Sequence, residues 1–136
     1  MTLRTLSSAL AVSLVLTACA GNAPRPVRSE FEDIPVPKGL TYQQEDSTII
    51  ETPTVKAGRH VYRGRLELDS LTTAIRTTLE ANGWRHVSST KAASPHGTIQ
   101  VYEKDGDSLQ VRLWEGLGSW YTYAEYTTGR VVKRAK

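Results

Sequence analysis

The stretch DSLTTAIRTTLEANGW, residues 69–84, decides the fold. Its apolar side chains return every three or four residues, which places them on one side of an α-helix. The residues of this stripe are Leu71, Ala74, Ile75, Thr78 and Leu79. The residues of the opposite side are Thr72, Thr73, Arg76 and Glu80. The sequence therefore predicts an amphipathic helix that packs one face against a sheet.

Both ends of this helix carry recognisable signals. Asp69 or Ser70 can accept hydrogen bonds from the first backbone N–H groups, as N-cap residues do. At the other end, Asn82-Gly83 provides a glycine suited to the left-handed conformation that stops a helix. We expect Trp84 to follow at once and to fold back over the helix end.

Alternation and turn residues predict strands on both sides of the helix. Residues 47–52 form a short strand that stops at Pro53, and residues 59–68 form a half-buried strand. Ile34-Pro35-Val36-Pro37 can only be an extended edge segment, because proline donates no ladder hydrogen bond. The strands predicted after the helix are 84–90, 98–103, 107–115 and 120–128. The fold class is α+β, a two-layer sandwich with one α-helix packed on a mainly antiparallel sheet, in the order ββαββββ.

Asp105-Gly106 predicts a hairpin, and two registers are compatible with it. A two-residue loop pairs Tyr102 with Leu109 and mixes polar with apolar residues on one face. A three-residue loop, 104–106, pairs Val101 with Leu109 and keeps the apolar residues together. Because register follows the hydrophobic pattern, we predict the three-residue loop.

The next loop decides which aromatic side chains face away from the helix. With residues 115–119 as the loop, Val111 faces Tyr123 on the buried side. Three large aromatic residues then share the opposite side as a possible interaction face: Tyr102, Trp114 and Trp120. Exposed aromatic patches of this kind can mark partner or ligand surfaces. The alternative is that residues 34–50 cover these side chains as a second small core.

The sequence shows no pattern typical of a catalytic, cofactor or metal site, so we expect no enzyme, no cofactor and no metal. The histidines lack the short paired spacings of zinc ligands: His60, His86 and His96. The acidic cluster lacks the spacing of a calcium loop and is typical of a solvated hairpin tip: Glu103, Asp105 and Asp107. A formal net charge of +3 is too small to indicate a nucleic-acid partner.

The amino terminus contains the only cysteine, at the end of a short apolar run. Arg4 precedes the run 6–16, and Leu16-Thr17-Ala18-Cys19 ends it. This pattern resembles a bacterial lipoprotein signal with its lipobox. The run is shorter than the roughly 20 apolar residues of a membrane-spanning helix, and an ordinary signal peptide is the main alternative. The resemblance implies a diacylglyceryl thioether on Cys19, cleavage after Ala18 and acylation of the new amino terminus.

This resemblance divides the chain into a signal peptide, 1–18, that is removed, and a lipidated tether, 19–33. A single α+β domain, 34–129, and a basic tail, 130–136, follow. Ala20 stands where aspartate favours retention at the inner membrane. The implied location is therefore the periplasmic side of the outer membrane, with the inner membrane as the alternative. As a coil, residues 20–33 span about 20 Å, which would hold the domain near its membrane.

A second resemblance concerns the domain itself. Its segments are similar to those of a family of small bacterial lipoproteins without an assigned activity: Phe31-Glu32-Asp33-Ile34-Pro35-Val36-Pro37, Tyr62-Arg63-Gly64 and Asn82-Gly83-Trp84. This similarity implies the fold and brings no functional residues. We expect a membrane-anchored, non-catalytic interaction or assembly module with an envelope protein as partner. A periplasmic module that binds a small ligand or a cell-wall glycan is the alternative.

Replacing Cys19→Ser should abolish membrane retention and leave the domain folded, because Cys19 carries the lipid and lies outside every predicted core element. Fractionation of cell envelopes measures the retention. A Cys19→Ser protein that remains wholly in the membrane pellet would refute the anchor.

Overall fold

The computed structural model describes residues 33–93 and 96–131, with only the backbone of His96. The predicted signal peptide, Cys19, the tether before Asp33 and the last five residues of the basic tail lie outside these ranges. No helix within the described ranges has the length and apolar character that crossing a membrane requires.

In the described part of the chain, seven strands form one open sheet whose paired neighbours run antiparallel. In chain order, the elements are β1 (Thr41–Tyr42), β2 (Thr48–Glu51), β3 (Val55–Gly64), α1 (Leu68–Ala81), β4 (Arg85–Ala93), β5 (His96–Lys104), β6 (Asp107–Glu115) and β7 (Thr122–Val131). The spatial order is β1–β3–β7–β6–β5–β4, and β2 also pairs with β3. The α+β class is confirmed. The order ββαββββ is wrong, because the two-residue β1 adds a third strand before the helix.

The N-cap of α1 lies two residues before Asp69, the first of the two predicted capping residues. Glu67 is the N-cap residue, and its carboxylate accepts hydrogen bonds from the backbone N–H groups of Asp69 and Ser70, at 2.9 and 2.6 Å. Asp69 and Ser70, the predicted caps, therefore donate backbone N–H groups at this end of the helix, and Glu67 is the acceptor. A carboxylate at this end also opposes the positive pole of the helix dipole.

The end of α1 is a Schellman motif, as Asn82-Gly83 indicates. Gly83, at φ +84°, donates its N–H to the Glu80 carbonyl at 3.1 Å. Trp84 donates its N–H to the Leu79 carbonyl at 3.0 Å. This pair of bonds satisfies carbonyls that the helix leaves open and reverses the chain direction. Trp84 is buried beneath the helix end, which confirms its predicted place.

The core lies between α1 and one face of the sheet. Its buried residues are Ile34, Leu71, Ile75, Leu79, Trp84, Tyr102, Leu109, Val111, Leu113, Ala124 and Tyr126. Val36 and Leu40 pack against this cluster. Residues 34–40 therefore lie on the helix side of the sheet, and the alternative in which 34–50 forms a second core on the other side is wrong for this part of the segment.

The β5–β6 hairpin has the two-residue loop, and the predicted three-residue loop is wrong. Lys104 pairs with Asp107 and Tyr102 with Leu109. Asp105 and Gly106 both have positive φ, 52° and 88°, as a type I′ turn requires. The prediction from the hydrophobic pattern failed because the helix side of β5 also buries polar residues.

Those polar residues are buried with hydrogen-bond partners. The Tyr102 hydroxyl donates to Gln100 Oε1 at 3.0 Å, and Gln100 Nε2 donates to the Thr72 carbonyl at 3.4 Å. Thr122 and Thr128 donate their hydroxyls to backbone carbonyls at 2.6 and 3.0 Å. A buried polar group with a partner costs little, so β5 can place Gln100 in the core.

The β6–β7 register also differs from the predicted one. Glu115 pairs with Thr122 and Val111 with Tyr126, so the loop is 116–121 and not 115–119. The shift changes the parity of β7, since successive strand residues point to opposite faces. The prediction that Val111 faces Tyr123 is wrong, and Tyr123 points away from the helix.

Leu79→Ala should destabilise the domain by about 2–5 kcal/mol, the usual range for truncating a buried leucine. Leu79 is fully buried and its carbonyl anchors the turn that places Trp84. Chemical denaturation measures the change. A loss below roughly 0.5 kcal/mol, the usual size of a surface substitution, would contradict the packing described for α1.

Candidate functional site

The face of the sheet turned away from α1, the outer face, carries its side chains in cross-strand rows. The first row consists of Arg63, Tyr123, Trp114 and Gly97. The second consists of Val61, Glu125, Arg112 and Ile99. The third consists of Arg59, Thr127, Gln110 and Val101. Arginines and aromatic rings therefore share a surface that α1 does not cover.

Trp114 and Tyr123 form a parallel aromatic pair in the first row. Their ring centroids are 5.4 Å apart and their planes are inclined by only 8°. The guanidinium carbon of Arg112 lies over the indole of Trp114, 5.5 Å from its centroid. Both rings are half-buried. Stacking and the cation–π contact hold the pair in one orientation on a face that α1 does not cover.

A second cluster lies where β3 ends and β7 is about to begin. The guanidinium carbons of Arg63 and Arg65 lie 4.6 and 5.3 Å from the centroid of the Tyr121 ring. Arg65 also donates from Nη2 to the Tyr121 hydroxyl at 3.4 Å. The hydrogen bond from Arg65 and the charges of both arginines lower the pKa of the Tyr121 phenol. No carboxylate of the described residues lies within ion-pair distance of either arginine.

The β6–β7 loop, residues 116–121, is ordered by its own hydrogen bonds. Gly116 donates its N–H to the Tyr121 carbonyl at 2.8 Å, and Ser119 donates its N–H to the Gly116 carbonyl at 3.0 Å. A single 3-10 turn spans Leu117–Ser119. Leu117 is fully exposed and Trp120 is 71% exposed. The loop therefore presents two large apolar side chains to solvent from a defined backbone.

The predicted interaction face of Tyr102, Trp114 and Trp120 does not exist as one surface. Tyr102 is fully buried in the core on the helix side, so its prediction is wrong. Trp114 lies on the outer face. Trp120 belongs to the loop before β7 and not to a strand. Cys19, the predicted lipidation site, lies outside the described residues.

Sequence reasoning missed Tyr123, Tyr121 and the two arginines beside it. A usable signal was Glu125, which has the same parity in the sequence as Tyr121 and Tyr123. A carboxylate is costly in a core, so its parity marks the solvent face of the strand. If Glu125 is assigned to the solvent face of β7, Tyr123 is predicted to lie on the same face.

The described histidine side chains serve the fold. His60 is buried, and burial lowers its pKa. The ring of Tyr42 lies 5.9 Å from that of His60. His86 packs edge-on against Tyr102 at 5.4 Å, and its Nε2 lies 2.8 Å from Ser89 Oγ. Within residues 33–93 and 96–131, no group of three His, Cys, Asp or Glu side chains could hold a metal ion.

A shallow depression of about 710 Å³ adjoins the β5–β6 turn and contains the acidic cluster. Two of its carboxylates pair with arginines: Glu103 pairs with Arg85, and Asp107 accepts from Arg130 at 2.6 Å. Lys104 donates from Nζ to the Asn82 carbonyl at 2.9 Å, at the end of α1. The Lys104 bond ties the turn to the end of α1, and the two ion pairs tie it to β4 and β7.

Comparison of the chain with models of known protein families, with curated protein sequences and with solved structures finds no match in any of the three. The likeness to bacterial lipoproteins stays a prediction.

Arg65→Gln should raise the pKa of the Tyr121 phenol toward the ordinary tyrosine value, because Arg65 supplies the hydrogen bond and part of the charge that favour the phenolate. Ultraviolet titration measures it, with Tyr121→Phe identifying the signal of this residue. Arg59→Gln is the control, since Arg59 pairs with Glu125 at 2.8 Å and is not among the groups that shift the pKa of Tyr121. An unchanged Tyr121 titration in Arg65→Gln would contradict the described cluster.

Proposed function

We propose that this protein is a membrane-anchored envelope lipoprotein whose domain is a non-catalytic interaction module. The outer face is the surface that binds an envelope protein partner. The observation that carries the proposal is the stacked pair of Trp114 and Tyr123 on a sheet face that α1 leaves uncovered.

The composition of the outer face suits a protein partner. Tryptophan, tyrosine and arginine are the residues that most often dominate binding energy at protein interfaces. Here the rings of Trp114 and Tyr123 are already fixed by stacking, and Arg112 lies over the indole. A partner that covers this pair would therefore lose little side-chain entropy in ordering it.

A ligand-binding module is less well supported. Small-molecule sites are concave and mostly apolar, with a few polar groups that converge on the ligand. The depression at the β5–β6 turn is lined by charged residues and glycines, and no aromatic residue of the outer face contributes to it. One face of the Trp114 ring is occupied by Tyr123, which reduces the surface on which a sugar ring could stack.

The proposed anchor is the lipid on Cys19, with the domain in the periplasm at the outer membrane. Two or more acyl chains hold a protein on a membrane far more firmly than one. Asp33, the first described residue, pairs with Arg130 at 3.1 Å, so the chain enters the domain beside the last residues of β7. The tether would therefore join the domain at that end of the sheet.

Trp114→Ala should reduce the yield of crosslinked partner from intact envelopes, because it removes the larger ring of the stacked pair. It should destabilise the fold only modestly, by about 1–2 kcal/mol, since the aromatic contact is worth roughly 0.5–1.5 kcal/mol beyond its buried area. Crosslinking followed by affinity capture gives the yield, and denaturation of the same protein gives the stability.

Two further variants separate binding from folding. Leu79→Ala lowers stability more than Trp114→Ala but leaves the outer face intact, so it should retain the partner. Thr77→Ala changes an exposed side chain of α1, on the other side of the sheet from the outer face, and should leave the partner yield unchanged. Full crosslinking by a folded Trp114→Ala protein would defeat the proposal.

A further inference from the structure

The two large apolar side chains of the β6–β7 loop are more exposed than the aromatic pair of the outer face. Leu117 is fully exposed, and Trp120 follows three residues later at 71%. The side chains of Trp114 and Tyr123, in contrast, are half-buried by each other and by their neighbours. Leucine and tryptophan at a projecting turn are the residue types that enter the boundary between lipid headgroups and acyl chains.

Positive charge accompanies these two side chains. Arg63 and Arg65 flank Tyr121, the last residue of the same loop, and neither is paired with a carboxylate of the described residues. Arginine can keep its guanidinium among headgroups while its methylene stem lies along apolar surface. Each arginine near an anionic lipid surface contributes attraction that neutral lipid does not provide.

The length of the tether allows the loop to reach the membrane that holds the proposed anchor. β7 is ten residues long, which is about 33 Å at the usual rise per residue. The loop precedes β7, and the chain enters the domain at the other end of that strand, where Asp33 pairs with Arg130. Residues 20–33 can extend to about 46–50 Å, which exceeds this distance. This step rests on the proposed anchor, whereas the exposure and the charge do not.

We propose that the β6–β7 loop is a second membrane contact, in which Leu117 and Trp120 insert into the interface of an anionic phospholipid surface. Arg63 and Arg65 bind the headgroup phosphates beside them. The domain then lies with this end of the sheet against the bilayer. Apart from Arg63, the outer face remains available for a partner.

Quenching of tryptophan fluorescence by brominated lipids tests the insertion. The full chain, purified from envelopes and reconstituted on vesicles of phosphatidylglycerol and brominated phosphatidylcholine, should show quenching that Trp120→Phe removes. Trp84 is buried in the core, and Trp114 lies in the stacked pair, so both remain as internal references. Quenching of equal size in the wild type and in Trp120→Phe would overturn the proposal.

The contribution of charge and of Leu117 is measured in the same assay. For a Cys19→Ser background, in which the lipid cannot hold the protein, each of Arg63→Gln and Arg65→Gln should weaken sedimentation with phosphatidylglycerol vesicles roughly fivefold. Leu117→Ser should reduce both binding and quenching. Equal binding to purely zwitterionic vesicles would overturn the assignment of anionic lipid.

Ile50→Ser is the matched control, because Ile50 is exposed and apolar but lies on β2, away from the loop. It should leave quenching unchanged. If Trp120→Phe instead abolishes a protein crosslink and wild-type Trp120 is not quenched, the loop binds a protein and the membrane contact is refuted. The outer-face proposal is judged separately by Trp114→Ala, so each proposal can fail without the other.

Discussion

The helix α1 has to cover one face of a sheet that is wider than the helix. The fourteen residues of α1 make a cylinder about 21 Å long and about 10–12 Å across. Six strand positions side by side span about 24 Å. The remaining width is filled by Ile34, Val36 and Leu40 on the helix side and by tyrosine rings on β3, β5 and β7. The other face receives no cover from α1 and must be stabilised by contacts within the sheet.

The outer face meets this requirement with cross-strand pairs. Trp114 stacks on Tyr123, and Arg59 pairs with Glu125, the cross-strand neighbour of Val61. Val61 is buried although α1 lies on the other side of the sheet. Such pairs contribute only fractions of a kilocalorie to about 1 kcal/mol each. Their effect is to fix the positions of large side chains that would otherwise be mobile at a surface. A face built to stabilise the side of the sheet away from α1 is thereby also preorganised for the binding that we propose.

The sequence predicts the helix well and the strand faces poorly, for a physical reason. The stripe of α1 and the turn at Asn82-Gly83 are local signals, repeated within one element. The face that a strand residue occupies depends on the length of the preceding loop, and an error of one residue reverses it. This reversal removed Tyr102 from the predicted interaction face and put Tyr123 there. The two loop errors changed the faces assigned to β5 and β7 relative to β6. Trp114 lies on β6 itself, so its predicted face is unchanged.

The two glycines of the β6–β7 loop connect the stacked pair with the exposed tryptophan. A Cβ on Gly116 would lie 2.7 Å from Cε2 of Tyr123, and one on Gly118 would lie 2.9 Å from Cδ1 of Trp120. In sequence, Gly116 and Gly118 indicate only a turn. In the fold, each leaves the space that an aromatic ring occupies. A side chain at Gly116 would displace the Tyr123 ring, whereas one at Gly118 would displace Trp120 and strain a backbone at φ +76°. The loop thus sets the orientation of both aromatic surfaces, through a different glycine for each.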